Sequence, residues 1–248
     1  MEKKTSVYRR VLIKLSGEAL RSDEGKTIYA EDRLKEAAKN LKMIYESGTQ
    51  LVVVVGAGNI WRGGRDSGFP MKNRSRGDAM GMLATVINAL AVVDALEQND
   101  VPAVAMSTVD VSPLAAHYSR EAADEALNAG KVVVLGSGLG IPYVSTDTTA
   151  IVRGSELEVD VVLMAKNVDG IYDKDPGKFK DAVKFDTLSY EQILSQRLKA
   201  IDLTAAQLGL ERELSFIAFD LRDPANIGRV MAGEKIGTRV NTEEQLKN

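Results

Sequence analysis

Three apolar runs in this chain end in glycine-rich turns: Val11-Leu-Ile-Lys14-Leu15-Ser16-Gly17, Val55-Gly56-Ala57-Gly58-Asn59 and Leu135-Gly136-Ser137-Gly138-Leu139-Gly140. A glycine turn after a buried strand lets backbone N–H groups approach an anion closely, so each turn is a candidate phosphate cradle. One such turn is as easily a structural tight turn; three in one chain, each after a strand, point to phosphate chemistry. Lys14 adds a cation where none is needed for packing, inside an apolar strand just before Ser16-Gly17. The competing reading is an edge-strand lysine facing water. Arg62, with Arg65, Arg74 and Arg76 nearby, offers guanidinium groups for bidentate contact to a second phosphate, or simply solvated loop charges. Asp78, Asp147 and Asp202 stand at predicted helix starts, where each by itself reads as a cap or first-turn acid.

The common glycine fingerprints do not fit these turns. A dinucleotide motif beginning at Gly56 needs glycine or alanine where Trp61 stands, and one beginning at Gly136 needs it at Ile141. No GxxxxGK[ST] occurs, so a phosphate-bridging lysine has to come from elsewhere, which again selects Lys14. With no cysteine and His117 the only histidine, disulfides, thiolate zinc sites, a cysteine nucleophile and any two-histidine site are excluded. A net charge of −3 argues against wholesale nucleic-acid binding while permitting a local basic pocket.

The elements that must position these groups follow from periodicity. Val11–Leu15, Leu51–Val55, Ala103–Met106, Val132–Leu135, Val159–Met164 and Phe216–Phe219 read as buried strands. Between them, Glu31–Ser47 places Leu34, Ala37, Ala38, Leu41, Ile44 and Tyr45 on one helical face, with Gly48 to end it. Further helices are predicted over Asp78–Gln98 and Arg120–Asn128, and Arg62–Arg76 reads as a mobile loop. This alternation predicts an α/β fold, a three-layer α/β/α sandwich around a largely parallel sheet, as one domain over 1–248. The apolar runs read as too short or too interrupted to span a bilayer, and the charged start lacks a signal-peptide pattern; a cytoplasmic protein is expected.

Taken together, these segments resemble the amino acid kinase family and, within it, the uridylate kinases. The resemblance runs from Tyr8-Arg-Arg-Val-Leu-Ile-Lys-Leu-Ser-Gly-Glu-Ala-Leu20 to Gly233-Glu-Lys-Ile-Gly-Thr238. The more specific stretches are Gly58-Asn-Ile-Trp-Arg62-Gly63 and Gly77-Asp78-Ala-Met-Gly-Met-Leu-Ala-Thr-Val-Ile-Asn-Ala-Leu-Ala91. The resemblance implies ATP-dependent phosphorylation of UMP to UDP with Mg²⁺, the metal held mostly by phosphates and water and by no protein cage. It implies a UMP-binding lobe over about 1–160 and an ATP-binding lobe over about 161–248. ATP would meet Lys14, Leu15, Ser16, Gly17, Gly58, Arg62, Tyr172 and Asp175, with either Lys166 or Asn167. UMP would meet Ala57, Asp78 and the run Leu139, Gly140, Ile141, Pro142, Tyr143, Val144, Ser145 and Thr146. Lys14 and Asp202 would be catalytic, the aspartate holding the lysine in place, with Asp147 a further candidate.

The same resemblance implies a homohexamer, inhibition by UTP, and activation by GTP through Ser22, Asp23, Glu24, Gly25, Lys26 and Thr27. Two departures stand out. Ala57 replaces the middle of three consecutive glycines and must donate its N–H at negative φ, and the segment Leu163–Val168 is a residue shorter than in some relatives. Two alternatives stay open: a family member that phosphorylates a carboxylate or carbamate, and a nucleotide sensor without turnover.

Overall fold

The computed structural model describes residues 6–22, 27–61, 71–166, 168–198, 200–221 and 225–247. Its frame is one sheet built from β1 (Arg10–Leu15), β2 (Gln50–Val55), β3 (Ala103–Ser107), β4 (Ala116–His117), β5 (Val132–Gly136) and β6 (Val161–Lys166), then β9 (Thr187–Ser189), β10 (Phe216–Asp220) and β11 (Thr238–Asn241). A separate antiparallel pair, β7 (Ile171–Tyr172) and β8 (Lys184–Phe185), stands apart from it. The sheet order is β4-β3-β5-β2-β1-β6-β10-β11-β9, parallel except where β11 pairs with β10. The apolar runs read from sequence are its central strands, their residues almost wholly out of water.

Alternation along the strands sorts the core into two layers. Val11, Ile13 and Leu15 pack with Leu41 and Ile44 of α1 (Glu31–Glu46), Ala89 and Val92 of α2 (Arg74–Glu97) and Val230 of α7 (Ala225–Met231). Leu12, Val52 and Val54 pack on the other face with Leu127 of α3 (Arg120–Asn128), Ile151 of α4 (Thr146–Glu156), Ile193 of α5 (Tyr190–Gln196) and Ala205 of α6 (Leu203–Glu211). A short α8 (Glu243–Lys247) follows β11. The result is the predicted helix–sheet–helix sandwich, with two cores separated by the sheet.

Two boundaries and one length bear on the sequence reading. Val159 belongs to the turn closing α4, its N–H bonded to Gly154 O at 3.0 Å, so β6 starts two residues later than predicted. α2 starts at Arg74 rather than Asp78 because Asn73 caps it, accepting the N–H of Arg76 at 3.2 Å. Arg74 and Arg76, expected in the loop, are therefore helical; Arg62 and Arg65 lie outside the described residues. The third difference concerns length: among the described residues α2, at 24 residues, is by length and composition long and apolar enough to cross a membrane. Here it lies against β3 and β5, with Ala84, Val86, Ala89, Val92 and Leu96 buried.

Candidate active site

β1 runs between β2 and β6, with Lys14 opposite Val54 and Met164, so the edge-strand reading of this lysine does not hold. Lys14 shares the parity of Leu12 and emerges on the face that carries α4. Ser145 caps α4 by accepting the N–H of Thr148 at 3.0 Å, which sets Asp147 in the first turn. The Asp147 carboxylate stands 3.2 Å from the Lys14 ammonium, both side chains about one-fifth exposed. Asp147 Oδ1 is out of water and accepts no well-formed hydrogen bond, so its pairing with Lys14 is electrostatic.

Lys166 has the parity of Val162 and Met164 and leaves β6 on that same face. Its ammonium donates to Ala200 O at 2.5 Å. Burial holds its pKa below the ordinary lysine range; the Asp147 carboxylate opposes this and Lys14 adds to it. Lys14, Ser16, Ala19, Ala165, Lys166 and Leu221 line a cavity of ≈ 190 Å³, a basic recess at the carboxyl ends of β1 and β6. That is where parallel α/β sheets take ligands.

The first two glycine turns are set against each other. Gly56 N–H donates to Leu15 O at 2.8 Å, and a Cβ on Gly17 would fall 2.4 Å from Asn59 Oδ1, 2.7 Å from Gly56 O and 2.8 Å from Gly58 N. Only glycine fits at residue 17. Ser16 accepts Glu18 N–H at 3.3 Å and caps the 3₁₀ turn Gly17–Leu20. Ala57 is not among the residues of positive φ, as its N–H would require for donation, and Gly56–Asn59 opens no helix.

The third turn begins a loop in which Ser137, Gly138, Gly140 and Tyr143 all have positive φ, from 57° to 75°. A larger cavity of ≈ 440 Å³ lies between this loop, the Gly56 turn and α2, lined by Ala57, Gly58, Asp78, Ile141, Ser145 and Thr146 among others. Asp78, in the second turn of α2 rather than at its start, accepts Arg74 Nε at 2.8 Å and Tyr143 N–H at 2.9 Å. Burial alone would raise its pKa, but the Arg74 and Tyr143 bonds outweigh it and hold the carboxyl below its usual range. Sequence reasoning missed Trp61, whose indole donates to Gly77 O at 2.8 Å and closes the cavity wall beside Gly81. The four-residue spacing of Gly77 and Gly81 on a helix was the available signal.

Asp202 stands one step back from Lys14. It caps α6 through Ala205 N–H at 2.9 Å and accepts the hydroxyls of Thr148, at 3.0 Å, and Ser145. It thereby joins the N-termini of α4 and α6 and fixes the turn bearing Asp147. Tyr172 and Asp175 lie on and just after β7; Tyr172 OH donates to Asp169 at 2.6 Å and Asp175 accepts Gly177 N–H at 2.9 Å, with no bond to Lys14 or Lys166. Leu139, Pro142 and Val144 belong to the loop described above, whereas Arg62, Asn167 and the expected activator residues Asp23 to Lys26 lie outside the described residues. Of that last segment, Thr27 donates to Tyr29 O at 2.6 Å.

Among the described residues no three acidic or histidine side chains converge as a metal cage. Asp147, already ion-paired with Lys14, offers one carboxylate there, so a divalent ion would arrive on phosphates and keep its waters.

A doubly covered, mostly parallel sheet carrying a lysine and opposed glycine turns at its carboxyl end suits phosphate-bearing ligands. The chain belongs to the amino acid kinase family, whose sequence profile matches residues 9–212. Its fold is similar to that of a UMP kinase from Bacillus anthracis, 32% identical over 95% of this chain and 97% of that one, with a TM-score of 0.90. A UMP kinase from Ureaplasma parvum is 32% identical over 94% and 99%, with a TM-score of 0.88. A uridylate kinase from Archaeoglobus fulgidus is 28% identical over 93% and 99%, with a TM-score of 0.69.

Proposed function

We propose that this kinase transfers the γ-phosphoryl group of ATP to UMP, giving ADP and UDP for pyrimidine nucleotide synthesis. The observation that carries this reading is the pair of adjoining recesses, one basic around Lys14 and Lys166, the other bearing Asp78, divided by the Gly17–Gly58 contact. Two phosphate-bearing ligands entering from either side present their phosphates to one wall. The near full-length likeness to solved UMP kinases supports UMP as the acceptor.

An oxygen of the UMP α-phosphate attacks the γ-phosphorus; that P–O bond forms as the bond to the β,γ-bridging oxygen breaks and ADP leaves. No protein nucleophile is needed. Lys14 neutralises charge on the migrating group, Lys166 meets the ATP phosphates, and the amides of Leu15 to Gly17 and Gly58 orient them. Asp147 holds the Lys14 ammonium in place and Asp202 holds the helix turn that carries Asp147. Asp78 binds the UMP ribose hydroxyls, and Leu139 to Thr146 enclose base and phosphate. Mg²⁺ brought in with ATP would supply further charge neutralisation, and Asp147 would be the carboxylate available to hold it.

The proposal extends to Tyr172 and Asp175 on the adenosine side, to the division into UMP and ATP lobes, to a cytoplasmic location, and to activation by GTP and inhibition by UTP. It includes a homohexamer, for which the exposed Met80, Leu83 and Ile87 on α2 offer an apolar contact face. Release of ADP from ATP and Mg²⁺, coupled to an indicator and run with UMP, CMP, acetylglutamate and aspartate in turn, tests the acceptor. Turnover confined to acetylglutamate or aspartate would overturn it, and repeating the UMP assay with GTP or UTP tests the effectors.

A further inference from the structure

Behind the opposed turns lies a polar pair that touches neither cavity. Asn88, on α2, is fully buried, and Asn59, at the end of the Gly56 turn, is 7% exposed. Asn88 Nδ2 donates to Asn59 Oδ1 at 2.8 Å and Asn59 Nδ2 donates back to Asn88 Oδ1 at 3.1 Å. Each amide spends its second N–H on a backbone carbonyl: Asn88 on Gly56 O at 2.7 Å, Asn59 on Ile28 O at 2.8 Å. Tyr29 OH completes the set, donating to Asn88 Oδ1 at 2.7 Å. Asn88 thus fills both donor and both acceptor positions, a closed network with no member left unpaired.

The network bears on the site because of what it holds. Asn59 Oδ1 and Gly56 O, both bonded to Asn88 Nδ2, are the two oxygens nearest to where a Gly17 side chain would be. On its other side Gly56 is bonded through its N–H to Leu15 O. The Gly56–Gly58 backbone is therefore held between β1 and α2, and on the α2 side the Asn88 amide bonds both Gly56 O and Asn59 Oδ1. An apolar residue of similar size at position 88 would fill the space while leaving Gly56 O and Asn59 to find other partners.

We propose that Asn88 is a positioning residue for phosphoryl transfer, setting the distance between the two phosphate-binding turns through Asn59 and Gly56. This rests on the ATP-to-UMP reading above. Asn88 lines neither recess, so its loss leaves the contacts that bind each nucleotide largely in place and disturbs their alignment, which is felt most in the transition state.

The test is steady-state kinetics of the full chain with ATP, Mg²⁺ and UMP, alongside thermal melting, for wild type, Asn88→Ala and Tyr29→Phe. Expected for Asn88→Ala is kcat per folded molecule reduced roughly tenfold to a hundredfold, with KM for both nucleotides within about threefold. A lower melting temperature with unchanged kcat would mean an ordinary core amide and would overturn the proposal. If Asn88→Ala does not fold, Tyr29→Phe, which deletes one hydroxyl, decides: a fall in kcat of about threefold or more supports the role, and an unchanged kcat overturns it. Wild type unable to make UDP would overturn the substrate reading and this inference together, whereas active wild type with unaffected variants removes the inference alone.

Discussion

Gly17→Ala is the sharpest perturbation of the wall between the two recesses. The added Cβ would lie 2.4 Å from Asn59 Oδ1, 2.7 Å from Gly56 O and 2.8 Å from Gly58 N, where side chains essentially never come closer than 3.0 Å. Two of the three atoms are backbone, and the third is held by the Asn88 amide, so rotation of a flexible side chain cannot relieve the clash. Opening the contact from 2.4 to at least 3.0 Å moves one turn by about 0.6 Å. Since a 1 Å misplacement of reacting groups costs on the order of 10²-fold, kcat/KM should fall roughly tenfold or more. Overpacking of a closed core costs about 1–3 kcal/mol, which for a chain of this size lowers Tm by about 2–12 °C. Coupled ADP release and a thermal melt read both effects. Gly48→Ala is the control: Gly48 has φ +83° but nothing within 4 Å, so alanine there should cost about 1–2 kcal/mol of stability and leave kcat alone. Gly17→Ala with kcat/KM within twofold of wild type and an unmoved Tm would refute the reasoning.

Lys14→Ala should lower kcat by about 10²-fold or more while KM for UMP changes little, because in the proposed mechanism its ammonium serves the migrating group; wild-type turnover in initial-rate assays would remove that role. Asp78→Asn should raise KM for UMP severalfold at nearly constant kcat, with a pure kcat defect the contrary result. Lys166→Met addresses linkage: a lysine whose folded pKa lies below its unfolded value destabilises the fold while both states are protonated, and the penalty fades as pH rises from the folded pKa toward 10.5. The variant should therefore melt above wild type near pH 7, with the gap narrowing at high pH, while losing turnover. A gap that widens with pH would contradict the sign.

The central strands were legible because each is a short run rich in valine, isoleucine and leucine, buried on both faces. β4, β7, β8 and β9, at two or three residues each, carry no period to read. The start of α2 was misread because Arg74, Ser75 and Arg76 precede the apolar stretch and only the Asn73 cap marks the helix. α4 was read only as a helix start at Asp147, without an extent, because its sequence, Thr-Asp-Thr-Thr-Ala-Ile-Val-Arg-Gly-Ser-Glu, turns threonines rather than a clear apolar stripe into the core at Thr148 and Thr149. In the site, Lys14 stood out as a charge in an apolar run. Asn59 and Asn88 gave no such signal, since their meaning arises only when the fold brings residues 29 apart into reciprocal contact.

The acids expose a false opposition in the sequence reading, which set helix capping against site function at Asp147 and Asp202. In the structure Asp202 caps α6 and through the same carboxylate receives the Ser145 and Thr148 hydroxyls of the α4 N-terminus. Asp147 is a first-turn helix acid and also the partner of Lys14. Capping and the proposed function are compatible because a helix N-terminus in an α/β sheet points its unpaired N–H groups at the carboxyl end of the strands, where such folds take anionic ligands. A carboxylate that caps one such helix is thereby within reach of the next, so the residues that fix the helix ends also fix the cations they face. The more polar the caps around such an end, the stronger the case for a site there, and neither aspartate had to be one thing or the other.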